Sequence, residues 1–129
     1  MARIVRTDRA PSGSPAGPYP YSQAVVAAGL VFVSGTGPFD PATGALVGET
    51  IEEQVDQAMR NVQAILEAAG SSLERVVNAT IVLADAADAA GMNAAWARWF
   101  PVDPPARSGA KHPFPPPGVR ISIAVIAEA

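Results

Sequence analysis

Apolar residues recur along this chain with two different periods, and the switches between them mark its elements. Val55, Met59, Val62 and Leu66 fall at helical spacing, and Ala58, Ile65 and Ala69 broaden the same stripe. Thr50-Ile51-Glu52-Glu53 in front of the stripe has the form of a capping box, which makes Thr50 the N-cap; Gly70 is the natural stop. The stripe reads as core packing rather than a cofactor site. Period two governs Arg75 to Leu83. There Val77, Ala79, Ile81 and Leu83 alternate with Val76, Asn78, Thr80 and Val82, predicting a strand covered at least in part on both faces. Val119 to Ala127 alternates more cleanly, with odd positions purely apolar and even positions mixed. Val25 to Val33 reads as two strands turning near Gly29, and Arg3 to Arg6 as a short edge strand. A second helix, capped by Asp85, runs to about Phe100 and stops at Pro101, against the ~1 kcal/mol that Gly91 costs in its middle.

Between these segments lies turn chemistry. Residues 9–21 form a Pro/Gly/Ser loop ending in two tyrosines, and Asp40-Pro41-Ala42-Thr43-Gly44 places Pro and Gly to reverse the chain. The order strand-strand-strand-helix-strand-helix-strand-strand predicts one α+β domain over residues 1–129, with two helices on one face of a mixed sheet of about six strands. A sheet covered on one face only leaves the other in want of a partner, which points to an oligomer.

Composition narrows the function classes. With 129 residues, 49% of them hydrophobic, the chain can bury a substantial core. A net charge of −3 with no like-sign run gives no electrostatic case for nucleic acid. Cysteine is absent and His112 is the single histidine, so a thiolate nucleophile is excluded and a metal site is not expected. The first residues lack a signal-peptide core and no apolar run reaches membrane-spanning length, so a soluble, cytoplasmic protein without a membrane partner is expected.

One cation stands apart. Arg107 follows Pro104-Pro105-Ala106, where the prolines favour extended backbone. A planar guanidinium presented from such a segment suits a carboxylate, which it grips through two parallel hydrogen bonds. On these residues alone, a solvated surface arginine is the favoured reading.

Several pieces in order carry a resemblance: Pro20-Tyr21-Ser22-Gln23-Ala24, Val33-Ser34-Gly35, Asp40-Pro41-Ala42-Thr43-Gly44, the helix with Gln54, Asn61, Leu66 and Gly70, Asn93 with Phe100, Pro105-Ala106-Arg107-Ser108, and the closing Val-x-Ile-x-Ile strand. Over nearly its whole length the chain resembles the Rid family (reactive intermediate deaminases, also called the YjgF/YER057c/UK114 family). The resemblance implies a chorismate-mutase-like α+β fold, a homotrimer with clefts between subunits, and hydrolysis of 2-imino acids or enamines to 2-oxo acids and ammonia without a cofactor. It assigns Arg107 to the substrate carboxylate and Tyr21 to the pocket, and it matches Ser34, Gly35, Asn93 and Ser108 to substrate-binding positions of the cleft.

Departures from the family pattern matter as much. In deaminase-competent members the last strand carries a glutamate thought to activate the attacking water; the matching residue here is Ser122. A hydroxyl can hold a water but is a poor general base near neutral pH, and such assistance is typically worth ~10²–10⁴-fold. Gly109 stands where a cysteine is frequent, Thr36 where glutamine is usual, and His112 to Pro117 is unusually proline-rich. Glu128 lies six residues from Ser122, roughly 20 Å along an extended strand. His112 has a suitable unperturbed pKa, but it is an odd number of residues from Arg107 and so is expected on the opposite face. Three functions stay open: an imine deaminase with altered water activation; a repurposed enzyme promoting cyclisation, dehydration or tautomerisation of an imine or carbonyl intermediate; and a non-catalytic trimer that binds small carboxylates.

Overall fold

A computed structural model describes residues 2–12 and 19–129, so residues 13–18 of the Pro/Gly/Ser loop expected at residues 9–21 lie outside the described residues. Six strands form one sheet: β1 (Arg3–Val5), β2 (Ala24–Ala27), β3 (Leu30–Thr36), β4 (Val76–Leu83), β5 (Ala106–Lys111) and β6 (Ile121–Glu128). Their spatial order is β1-β2-β3-β6-β4-β5, with every neighbouring pair antiparallel except β4–β5. Helices α1 (Ile51–Ala68) and α2 (Ala89–Trp99) cover one face. No helix among the described residues is long and apolar enough to cross a membrane.

The local signals explain these elements. Thr50 accepts a hydrogen bond from the Glu53 N–H, and the Glu53 carboxylate accepts from the N–H groups of Thr50 and Glu49, completing the capping box. Those backbone bonds, from Thr50 first and then Glu49, hold the Glu53 carboxyl below its ordinary pKa. Ala28 and Gly29 both have positive φ, 53° and 76°, as a two-residue hairpin turn requires, and they join β2 to β3. Val55, Met59, Val62 and Leu66 are fully buried against the inward-facing Val31, Val33, Ala79, Ile81, Ile123 and Val125.

Three expectations change in detail. Val77 does not share a face with Ala79 and Ile81: a register shift between Val76 and Asn78 buries Val76 and leaves Val77 44% exposed. Asp85 caps a 3-10 turn, Ala86–Asp88, through the Ala87 N–H, and α2 proper begins one turn later. The last strand starts at Ile121 rather than Val119, because the Val119 N–H is bonded to Pro116 O and the Arg120 N–H to the Gln54 side chain.

On the face away from the helices, Ile4, Val25, Phe32 and Ile126 line up in register across β1, β2, β3 and β6. Ile4 is 51% and Phe32 42% exposed in the single chain, an apolar row of the kind that marks an interaction surface.

Gly91 has a packing role. A Cβ at this position would fall 2.5 Å from Ile51 Cγ2 and closer still to Glu52 Oε1, so the missing side chain lets α2 approach the first turn of α1. Helix propensity alone favours Gly91→Ala by ~1 kcal/mol. Overpacking costs typically ~1–3 kcal/mol, so the substitution is expected to destabilise the fold by about 1 kcal/mol in denaturant titration. Stabilisation would show that the contact is easily relieved.

Candidate functional site

At one end of the sheet, where β3 finishes and β6 begins, the ladder breaks: register shifts between Val33 and Thr36. The bulge carries Ser34 and Gly35, and beside it opens a cavity of about 490 Å³. Its walls include Tyr21, Ser34, Gly35, Ser122, His112 and Phe114. Gly35 is required by close approach, since a Cβ there would stand 2.9 Å from Ser122 Oγ. The Ser34 hydroxyl donates to Ser22 O at 2.6 Å, its N–H donates to Gln23 O, and its carbonyl accepts from Thr36 Oγ1 at 2.7 Å. These bonds fix the bulge and leave the Ser34 oxygen to act only as an acceptor. Burial pushes the Tyr21 phenol above its ordinary pKa, so it stays a protonated donor well past neutral pH.

Arg107 lies elsewhere. It pairs with Ala79 in the parallel β4–β5 ladder and projects to the helix side, where it borders a second cavity between α2 and strands β4 and β5. Its Nη1 is 3.7 Å from Met92 Sδ and its guanidinium carbon 6.0 Å from the Trp96 ring centroid, so the cation lies on an apolar bed. Among the described residues it has no carboxylate partner. Ser108 borders the same cavity.

Within one chain, then, the expected residues separate into two groups: Tyr21, Ser34, Gly35 and Ser122 around one cavity, Arg107 and Ser108 around the other. Asn93 is exposed on α2 and lines neither. His112 follows the last residue of β5 and lines the cavity of Ser122, not that of Arg107. It is anchored by its N–H to Leu83 O, and its Nδ1 accepts from the Phe114 N–H at 3.2 Å. Glu128 sits at the far end of β6, opposite Leu30, away from both cavities. Among the described residues no group of three or more acidic or histidine side chains is gathered as for a metal ion.

Three buried carboxamides build the walls of the first cavity. The Gln23 amide donates to Thr7, Ala10 and Pro11 carbonyls, and its oxygen accepts from the Thr7 N–H. Asn61 donates to Gly37 O at 3.0 Å and Phe39 O at 2.9 Å. Gln54 donates to Gly48 O and Gly118 O and accepts from the Arg120 N–H. Gln54 and Asn61 had no assigned role in the sequence. The signal available was their placement seven residues apart on the helix face of Ala58 and Ile65, where a polar residue must find a partner.

A protein-family model described as Endoribonuclease L-PSP matches residues 12–129. The chain is 37% identical over 127 residues to the goat (Capra hircus) 2-iminobutanoate/2-iminopropanoate deaminase, covering 98% of this chain and 93% of that protein. It is 41% identical over 124 residues to Reactive Intermediate Deaminase A, chloroplastic, of Arabidopsis thaliana, covering 96% of this chain but spanning only 64% of the plant protein. Among solved structures, E. coli TdcF with bound serine superposes with a TM-score of 0.87 at 31% identity, covering 98% of both chains.

Asn61 gives a direct test of how the cavity wall is held. Asn61→Leu keeps the branched shape of the side chain but leaves the Gly37 and Phe39 carbonyls without their donor, at ~1–3 kcal/mol each. A loss of about 2–4 kcal/mol in chemical denaturation is expected; a loss under about 0.5 kcal/mol would show that the wall does not depend on it.

Proposed function

The chain belongs to the Rid family, and from that premise we propose that it hydrolyses 2-imino acids, or their enamine tautomers, to 2-oxo acids and ammonia, in a cleft shared by neighbouring subunits of a homotrimer. The observation that carries this is the division of the expected residues between two cavities of one chain. A carboxylate held by Arg107 can reach Tyr21 and Ser122 only if a neighbour supplies the other half. The exposed edge strand β5 and the apolar row across β1, β2, β3 and β6 are surfaces suited to that assembly.

In this cleft Arg107 clamps the substrate carboxylate in a bidentate grip on the bed of Met92 and Trp96, with Ser108 beside it, and so fixes the adjacent C=N bond. Water adds to the imine carbon, its proton passes to nitrogen, and the carbinolamine collapses to the 2-oxo acid with loss of ammonia. Tyr21, protonated throughout the neutral range, donates a hydrogen bond to the carboxylate or the nitrogen. Ser122 Oγ, close against Gly35, orients the water without taking its proton. Ser34 contributes acceptor oxygen at the bulge; Asn93, exposed on α2 and lining neither cavity, takes no part in this step.

The name of the family model refers to RNA cleavage. A net charge of −3 gives a phosphate backbone little to bind, which supports a small carboxylate instead. Ser122 also favours a second reading, in which the cleft orients an imine or carbonyl compound for cyclisation, dehydration or tautomerisation, or holds it without turnover.

An amino-acid oxidase generating 2-iminobutanoate in place, with decay of the imine followed, separates these readings. Wild type is expected to accelerate decay, Arg107→Ala to lower kcat/KM by at least ~10²-fold through loss of positioning, and Ser122→Glu to raise the rate by ~10²–10⁴-fold. A wild type without effect, joined to an active Ser122→Glu, would assign the chain to the second reading.

A further inference from the structure

Resting on the carboxylate-clamp reading of Arg107, we propose that the cavity beside Ser122 receives the side chain of a bulky apolar 2-imino or 2-oxo acid, branched aliphatic or aromatic, in preference to acids of three or four carbons. Its volume of about 490 Å³ lies within the range of ~300–1,000 Å³ that buries ligands far larger than 2-iminobutanoate. Its walls are formed largely by Tyr19, Tyr21, Phe39, Phe114, Val119 and Ile121, and among the described residues no Asp, Glu, Lys or Arg lines it. A carboxylate drawn into this space would lose its hydration without gaining a cation, so the charged end of a ligand belongs outside, towards Arg107, and the uncharged remainder inside.

The polar atoms of the walls are mostly committed to the protein itself. The Gln23 amide is saturated by backbone groups, Thr36 Oγ1 donates to Ser34 O, and Ser34 Oγ donates to Ser22 O. His112 Nδ1 accepts from the Phe114 N–H. Among the described residues, what is left for a ligand is the hydroxyls of Tyr19, Tyr21 and Ser122 and His112 Nε2, enough to serve one C=N or C=O group. Ser122 is small and uncharged, so it leaves room in the cavity and brings no charge into it. Phe114, 87% exposed at the mouth, is placed to close over a large side chain.

Stable 2-oxo acids serve as probes in titration calorimetry. Burying one methylene is worth about fourfold in affinity. 4-Methyl-2-oxopentanoate, two carbons longer than 2-oxobutanoate, is therefore expected to bind at least ~10-fold tighter, and phenylpyruvate tighter still. Phe114→Ser, at a position too exposed to govern folding, is expected to shrink the difference to under ~3-fold. Equal affinity for short and long acids, lost in Arg107→Ala, would overturn the cavity proposal while the clamp stands. A preference for the long acid that survives Arg107→Ala would uphold the cavity and overturn the clamp. A folded trimer that binds none of the acids would overturn both.

Discussion

Gln23, Gln54 and Asn61 are buried almost completely, and each spends its amide on backbone carbonyls of segments that have no partner in the sheet. Loops cannot be packed against a core with their peptide groups bare, because each unpaired group costs the full desolvation penalty. The three amides remove that cost at the N-terminal segment, at Gly37–Phe39 and at the turn before β6, and all three segments border one cavity. No buried side-chain polar atom among the described residues is left without a partner. The walls are thus as firmly determined as the helices, although they have no regular structure.

The second constraint is the one-sided sheet. Both helices pack on the same face, so the row from Ile4 to Ile126 is left uncovered while Arg107 is turned towards α2. One geometry therefore accounts for two facts: an apolar surface that a neighbour would cover, and a candidate site whose cationic half and hydroxyl half do not meet within a chain. The absence of a carboxylate partner for Arg107 among the described residues fits a cation reserved for a ligand. Its bed of Met92 and Trp96 orients the guanidinium without neutralising it.

Much of this was legible in the sequence because it is local. The capping box at Thr50, the turn at Gly29 and the alternation of the last strand each follow from residues a few positions apart, and each was found in place. The bulge that exposes Val77 was not legible, since it depends on how β4 meets β6 and not on the order of its own residues. Gly91 read as a weak point in a helix; its reason is Ile51, forty residues away. Alternation set His112 and Arg107 on opposite faces, and the two border different cavities; that His112 would lie beside Ser122 could not be read from that spacing. The pairing of Ser122 with Gly35 was equally out of reach: it requires the bulge to be seen in three dimensions.

The central claim is that Arg107 of one subunit and Tyr21 with Ser122 of its neighbour make one site. Mixing Arg107→Ala and Tyr21→Ala chains tests it most directly: each variant alone is expected to bind no 2-oxobutanoate. Co-refolded in equal amounts as trimers, they should regain about a quarter of the wild-type sites, the fraction of interfaces at which both intact halves meet. Recovery of no sites from folded mixed trimers would contradict a shared site and return Arg107 to a role within its own chain.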